Sequence, residues 1–232
     1  MNAPRTHVQW GKTYRLINSR YPPVDLFEDI ADPKDWNLLN AAETKTSARL
    51  AETIGNIDLV PPERRVGGAG ASYVMAPFTH VSPEWAGRFH DGTFGAYYAG
   101  NSYETALFET IHHKGVFCAA TNEGQGWIAD MRELVGAIDT PLIDIRGEGY
   151  DAFLDKDDYT APQAFAHAVK AAGGDGIVYP SVRYADGECI ATLYPDAMSI
   201  PIQGRHISYH WNGERVNLIK DLTDNNVYEI EL

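Results

Sequence analysis

The chain has 232 residues, of which 44% are hydrophobic and 22% charged, a composition typical of a globular protein that buries a large core. Its net charge is −13, and the acidic excess lies in the second part: residues 1–100 hold 10 Lys and Arg against 11 Asp and Glu, whereas residues 101–232 hold 9 against 21. Because a phosphate backbone requires a basic surface, this balance argues against a direct nucleic-acid partner.

The sequence also argues against a membrane span or a secretion signal. No run of about 18 apolar residues occurs, and the N-terminal MNAPRTHVQWGK lacks the apolar segment of a signal peptide. Cys118 and Cys189 are the two cysteines, and they lack the CxxC spacing of a metal or redox site. They are typical of thiols in a reducing compartment. We therefore expect a cytoplasmic protein without a structural disulfide.

The first third of the chain mixes strands, loops and a helical region. The apolar pattern predicts a short strand at Lys12–Asn18, then a proline-broken segment. From Pro33 the spacing of apolar residues predicts one or two helices, which Gly55 would end. A loop rich in Pro and Gly, Leu59–Gly70, leads to a predicted strand at Ala71–Phe78.

The central segment contains an aromatic strand and then a helix predicted over Ser102–Lys114. Asn101 is the predicted N-cap, Glu104 would complete a capping box, and Gly115 would end the helix. The residues predicted to share its inner face are Tyr103, Ala106, Leu107, Thr110 and Ile111. Glu109 falls away from that face, so it can point into a cleft or into solvent.

The rest of the chain is predicted to be mainly strands. Strands are expected at Gly126–Leu134 and Pro141–Gly147, then a helix near Ala161–Ala172, then strands at 175–183 and 188–195. Asn-Gly at 212–213, between two alternating segments, predicts a β-hairpin, and the C-terminal VYEIEL is expected to pair onto the same sheet. Together these elements predict an α+β fold with a mixed, largely antiparallel sheet and flanking helices.

Several common catalytic signatures are missing. The chain contains no GxGxxG, GxxxxGK[ST], GxSxG or HExxH motif, which disfavours nucleoside triphosphate hydrolysis and zinc proteolysis. His112 and His113 are adjacent in the predicted helix and cannot share one face, so they make a poor metal chelate. Their position in its last turn suits the negative end of the helix dipole instead. We therefore expect no metal site.

Three short motifs occur in an order that resembles the RES domain, a family named for Arg, Glu and Ser. They are TYRL with Tyr14 and Arg15, GRF with Arg88, and AYYAGNSYETALFE with Tyr98 and Glu109. None of these pieces is specific alone, and it is their order and spacing that carry the resemblance.

The resemblance spans about Tyr14 to Pro195. A helical insert at about 33–63 and a C-terminal hairpin at about 205–232 are less well covered. The family implies a single RES-type domain over residues 1–232, with a fold similar to that of ADP-ribosyltransferases.

The resemblance also implies the residues of the site. The implied catalytic residues are Arg88, Tyr98, Glu109 and Ser181. Arg15 is a second candidate for the family arginine, and Thr160 is a weaker candidate for the family hydroxyl. The implied substrate is NAD+, bound by Arg15, Arg88 and Tyr98. From pattern alone, Glu109 would be a solvated helix residue. The structural alternatives for the others are that Arg15 is an edge-strand surface charge, that Arg88 only fixes a turn and that Tyr98 belongs to the core.

The chemistry of NAD+ cleavage explains why a site for this substrate would contain these types of residue. The bond between nicotinamide and ribose breaks through an oxocarbenium-like state, so a carboxylate such as Glu109 stabilises the developing positive charge. Arg88 and Arg15 can grip the two phosphates bidentately. Tyr98 can stack on nicotinamide while its hydroxyl bonds a neighbour, and Ser181 can orient the ribose or the amide.

The function implied by the resemblance is that of a toxin that depletes NAD+ by hydrolysis or phosphorolysis. The family implies a cognate Xre-like antitoxin that covers the active site. The nearest alternative transfers ADP-ribose to an acceptor protein, and the sequence leaves open whether water, phosphate or a side chain attacks the ribose. A non-catalytic module that binds NAD or a protein and a ribonuclease toxin are further alternatives, and the acidic charge argues against the ribonuclease.

Overall fold

The computed structural model describes residues 3–20, 32–38 and 55–231. Residues 36–38 are helical. The longer α-helices among the described residues are α1 (Ser72–Thr79), α2 (Tyr103–Ala120) and α3 (Thr160–Ala171). Within the described residues the strands are β1 (Arg5–Asn18), β2 (Tyr97–Gly100), β3 (Gly126–Asp144), β4 (Gly176–Pro180), β5 (Glu188–Thr192), β6 (Ile202–Trp211), β7 (Val216–Asp221) and β8 (Val227–Glu229). No helix in the described part combines the length and apolar character needed to span a bilayer.

The strands form one sheet that closes partly on itself. Their hydrogen-bonded order is β1-β2-β5-β4-β3-β6-β7-β8, and β1 also pairs with β3. The strands β1, β2, β5, β4 and β3 therefore form a ring, and β6, β7 and β8 extend from β3. Among the described strands only β3 and β4 run parallel to each other. The predicted mixed, largely antiparallel sheet is confirmed.

The contact between β1 and β2 is the narrowest in this ring. The two strands share one paired position, where Tyr14 lies opposite Gly100. β1 pairs with β3 along most of its length, and β2 pairs with β5 at all four of its residues. Because β1 and β2 diverge, backbone groups at this junction need partners other than a neighbouring strand. α2 begins just after Gly100 and packs against both strands.

Each of the three named helices covers a separate part of the sheet with apolar side chains. Burial of a single such side chain stabilises the fold by about 1.5–3 kcal/mol. The α1 cluster joins Val74, Met75 and Phe78 to Ile138 and Leu142. The α2 cluster joins Leu107, Ile111 and Cys118 to Ile207, Tyr209 and Trp211. The α3 cluster joins Ala166 and Val169 to Ile177 and Ala191.

The strand predicted at Ala71–Phe78 is wrong, because this segment forms α1. Val74, Met75 and Phe78 are buried at positions one and four residues apart, which is the spacing of a helix face and not the alternation of a strand. Pro77 lies inside the helix, which ends soon afterwards at Thr79.

The helix that contains Glu109 starts one residue later than predicted and runs further. Ser102, not Asn101, is the N-cap, because its side chain accepts a hydrogen bond from the Thr105 backbone N–H, and Glu104 is exposed and completes no capping box. Gly115 does not end the helix, which continues to Ala120. Cys118, fully buried in the α2 cluster, explains the continuation, because the extra turn adds apolar contact.

Most other predicted elements are confirmed, with changed bounds. β1 includes the predicted strand at Lys12–Asn18, and the two strands predicted from Gly126 to Gly147 are the single strand β3. The helix near Ala161–Ala172 is α3, and the strands predicted at 175–183 and 188–195 are β4 and β5. Of the helices predicted from Pro33, a 3-10 turn at Pro33–Asp35 and helical residues 36–38 are seen, while 39–54 lie outside the described residues.

The predicted C-terminal hairpin is confirmed as β6 and β7. Its connection is four residues long, at 212–215, because the Asn212 N–H bonds the Arg215 carbonyl at 3.1 Å. The Asn212 side chain accepts hydrogen bonds from the N–H groups of Glu214 and Arg215, and Gly213 has a φ of 99°. β8 pairs with β7, so the C-terminal segment joins the sheet as expected.

Gly95 lies against the backbone of α1. A Cβ atom at this position would lie 1.9 Å from the Pro77 carbonyl oxygen and 2.7 Å from the Phe78 Cα. Backbone must therefore move, and we expect Gly95→Ala to lower the free energy of unfolding by about 2–3 kcal/mol in urea denaturation. Gly11→Ala, on β1 with nothing within 4 Å, is the control and should stay within about 0.5 kcal/mol of wild type. Equal stability of the two variants would contradict this packing.

Candidate active site

A cavity of about 210 Å³ lies at the junction of β1 and β2. Its walls come from these two strands, from the first turns of α2 and from the segment that precedes β2. This volume is below the ~300–1,000 Å³ of typical ligand pockets, so it admits a small molecule or one end of a larger one. The side chains that define its chemistry are those of Arg15, Arg88, Tyr98, Glu109 and Tyr159.

Glu109 projects from α2 into this cavity and is held by Ser181. The Ser181 hydroxyl donates a hydrogen bond to Oε1 of Glu109 at 2.6 Å. The same hydroxyl oxygen accepts hydrogen bonds from the N–H groups of Arg183 and Tyr184, at 3.2 and 3.1 Å. The loop after β4 thus fixes the hydroxyl as a donor to the carboxylate. No described residue bonds Oε2 of Glu109, so this oxygen is available to a ligand.

A buried thiol lies near the same carboxylate oxygen. The Cys189 Sγ atom is 3.9 Å from Oε1 of Glu109, and the residue is 3% exposed. Burial raises the pKa of the Cys189 thiol well above its usual value, and the negative charge of Glu109 adds to this effect. The thiol is therefore protonated near neutral pH and can act only as a weak donor to the carboxylate.

Arg15 fills the gap between the diverging strands β1 and β2. Its Nη1 donates a hydrogen bond to the Tyr98 carbonyl at 2.9 Å, and its guanidinium carbon is 4.6 Å from the centroid of the Tyr97 ring. Burial lowers the pKa of Arg15, while Tyr97 and Tyr98 act in the opposite direction. A guanidinium keeps its charge under these conditions. The side chain thus satisfies the β2 backbone and places a cation at the cavity wall.

Arg88 is the second cation of the cavity and is 7% exposed. Its Nη1 donates to the carbonyls of Phe153 and Asp155, at 3.0 and 2.5 Å. Its guanidinium carbon is 4.8 Å from the centroid of the Tyr159 ring. Arg88 therefore holds the segment before α3 against the cavity.

Tyr98 presents its ring to the cavity, and its hydroxyl is held in place. The hydroxyl oxygen accepts a hydrogen bond from the Phe89 backbone N–H at 2.9 Å. Burial raises the pKa of Tyr98, so the phenol is neutral. Gly87 makes room for it, because a Cβ atom there would lie 3.0 Å from the Tyr98 hydroxyl and 2.8 Å from Nε2 of His90. The GRF motif thus supplies both the arginine and the space for the tyrosine.

The structure brings the predicted site residues together, although they are far apart in the sequence. Arg15, Arg88, Tyr98 and Glu109 all line one cavity, and Ser181 contacts Glu109. Thr160, the weaker hydroxyl candidate, is exposed in the first turn of α3 and does not line the cavity.

Sequence reasoning missed several lining residues. His113 could have been found, because it lies four residues after Glu109 and therefore on the same side of α2. Tyr159, Tyr179 and Cys189 give no such local signal, because they reach the cavity through contacts between distant segments. Within the described ranges, no three His, Cys, Asp or Glu side chains are grouped closely enough to ligate one metal ion.

Comparisons with known proteins place this site in a family. A family model described as RES domain matches residues 62–212, which include Arg88, Tyr98, Glu109 and Ser181 but not Arg15. The uncharacterized protein y4oC of Sinorhizobium fredii is 29% identical over 211 residues, covering 91% of this chain and 87% of the relative. A chain in the crystal structure of the M. tuberculosis MbcT–MbcA toxin–antitoxin complex aligns with a TM-score of 0.47 and 12% identity, over 88% of this chain and 86% of that chain.

Proposed function

The chain belongs to the RES-domain family, and from that premise we propose that it is the toxin of a toxin–antitoxin pair and cleaves the nicotinamide–ribose bond of NAD+. The observation that carries this proposal is the Glu109 carboxylate, held at Oε1 by Ser181 and unbonded at Oε2, in a cavity that two guanidinium groups also line.

In the proposed reaction, the bond between C1′ of the ribose and the nicotinamide nitrogen breaks. Nicotinamide leaves as a neutral molecule with the bonding electron pair, and positive charge develops on C1′ and the ring oxygen. Glu109 stabilises this charge through Oε2 or holds a ribose hydroxyl. An oxygen of the acceptor then bonds to C1′. When the acceptor is water, its proton is released and the products are nicotinamide, ADP-ribose and H+.

The remaining cavity residues bind and orient the substrate. Arg15 and Arg88 offer guanidinium donors for the diphosphate, where a planar fork binds more strongly than a point charge. The neutral ring of Tyr98 offers a flat surface for nicotinamide. Because the cavity is small, we expect it to enclose the nicotinamide ribose while the adenosine end lies outside.

Incubation of the purified protein with NAD+ tests this proposal, with free nicotinamide measured by chromatography. Unchanged NAD+ at micromolar protein would overturn it and favour a non-catalytic binding module. If nicotinamide is released, mass spectrometry of the second product separates the acceptors. ADP-ribose indicates water, ADP-ribose that carries a phosphate on the same ribose carbon indicates phosphate, and a mass increase on a cellular protein indicates the alternative function, ADP-ribosyl transfer.

We further propose a partner of the kind that the family implies, a Xre-like antitoxin protein that covers the cavity. Co-expression with any helix-turn-helix protein that is encoded next to this chain tests this directly. We expect the two proteins to purify together and nicotinamide release to fall in the complex. Unchanged nicotinamide release by the complex would contradict the proposal that the partner covers the cavity.

Ser181→Ala tests whether the hydroxyl positions the carboxylate. The variant removes the only described hydrogen bond below 3 Å to Glu109 and frees two backbone N–H groups of the loop. A hydrogen bond to a charged group contributes about 1.5–3 kcal/mol, so we expect nicotinamide release to slow by about 10- to 100-fold. Thr160→Ala is the control and should leave the rate unchanged. Equal rates for Ser181→Ala and wild type would remove Ser181 from the site.

A further inference from the structure

Tyr159 is a cavity residue that no sequence motif indicated. It precedes α3 at the N-cap position, and its side chain makes no capping hydrogen bond. Its ring lies beneath the Arg88 guanidinium, with 4.8 Å between the guanidinium carbon and the ring centroid. No described residue bonds its hydroxyl, so its interaction with Arg88 is through the ring face.

The contacts of Arg88 leave part of its guanidinium available. Both of its hydrogen bonds, to the Phe153 and Asp155 carbonyls, come from Nη1. Nε and Nη2 bond no described residue, yet they are not among the side-chain atoms sealed from solvent. The two carbonyls hold one corner of the planar group, and its central carbon lies over the Tyr159 ring. The other edge of the fork therefore has a defined direction.

We propose that Tyr159 is a positioning residue, which holds the plane of Arg88 so that its free edge meets the diphosphate of the substrate. This inference rests on the proposed function for the identity of the ligand. It assigns Tyr159 no contact with the reacting atoms. The ring acts through Arg88, because a bidentate contact to phosphate depends on the orientation of the guanidinium plane.

Two substitutions separate the ring from the hydroxyl. Tyr159→Leu removes the aromatic face, and Tyr159→Phe keeps it. A cation–π contact of this kind corresponds to about a 2- to 30-fold change in affinity. We expect Tyr159→Leu to raise the Kd for ADP-ribose and the KM for NAD+ by such a factor, with kcat nearly unchanged. We expect Tyr159→Phe to match wild type in both.

Tyr194→Leu is a matched control. The Tyr194 ring lies 4.0 Å from the Arg64 guanidinium carbon, so this variant removes a contact of the same kind, and Tyr194 does not line the cavity. Its Kd for ADP-ribose should equal that of wild type. Nicotinamide, which lacks the diphosphate and is expected to bind on the Tyr98 ring, is the control ligand, and its affinity should be the same for wild type and Tyr159→Leu.

Isothermal titration calorimetry with ADP-ribose, inorganic pyrophosphate and nicotinamide gives these values without any turnover. Weaker binding of ADP-ribose and pyrophosphate to Tyr159→Leu alone would support the proposal. An equal loss of affinity in Tyr159→Phe would overturn it, because the hydroxyl would then be the active group. An equal loss of nicotinamide affinity in Tyr159→Leu would overturn it as well. Absence of pyrophosphate and ADP-ribose binding to wild type would also overturn it. Nicotinamide release by wild type is scored separately and decides the proposed function.

Discussion

Glu109→Gln is expected to slow nicotinamide release by about 100- to 1,000-fold, the usual effect of removing one preorganised electrostatic contact to a transition state. The amide has nearly the shape of the carboxylate, and its oxygen can still accept the Ser181 hydrogen bond. The change therefore removes the negative charge while preserving the packing. Binding of NAD+ before the bond breaks should change little, because the positive charge on the ribose develops only in the transition state.

Initial rates of nicotinamide release across a range of NAD+ concentrations measure this effect, and the loss should fall on kcat. Glu104→Gln is a matched control, because Glu104 lies in the first turn of the same helix and is exposed. The control should keep wild-type kcat and KM. A Glu109→Gln protein with normal kcat would show that the carboxylate does not stabilise the transition state.

The local part of this site could be predicted because it lies on one continuous segment, whose motifs carry the family resemblance. The strand that carries Tyr98 and the helix that carries Glu109 follow each other directly. Helical periodicity removes Glu109 from the packed face, and the structure places its side chain in the cavity. The predicted end of this helix was wrong because it depended on a local signal alone. Gly115 is a local signal, whereas the burial of Cys118 depends on β6 and β7, which lie far along the chain.

The long-range part could not be predicted. The closure of the ring depends on β1 pairing with β3, strands that lie more than a hundred residues apart. No local sequence pattern predicts the pairing of β1 with β3. That pairing nevertheless helps to place Arg15 within hydrogen-bond distance of the Tyr98 carbonyl. The same holds for Tyr159, whose place beneath Arg88 follows from the packing of the segment before α3. Thr160, its neighbour and the weaker candidate for the family hydroxyl, is exposed and does not line the cavity.

Arg88 belongs to both the local and the long-range part of the site, because it lies in the GRF motif and its hydrogen bonds hold a distant segment of the chain. Its Nη1 bonds to the Phe153 and Asp155 carbonyls join the segment before α3 to the segment before β2. We therefore expect Arg88→Ala to have two effects. Loss of the donor to two partly buried carbonyls should lower the free energy of unfolding by about 1–3 kcal/mol. Loss of the cation should lower kcat/KM for NAD+ by a further 10- to 100-fold, roughly the value of one charged hydrogen bond.

The two effects are separable by measurement and by matched variants. Urea denaturation gives the stability, and kcat/KM is then measured at a temperature where circular dichroism shows the variant folded. Arg88→Lys keeps the charge without the planar fork, so it should recover only part of kcat/KM. Arg64→Ala, which breaks the Asp175 and Asp196 ion pairs outside the cavity, should reduce stability and leave kcat/KM unchanged. If Arg88→Ala behaved like Arg64→Ala, Arg88 would be an anchor of the wall alone, and the diphosphate would have to be bound by Arg15.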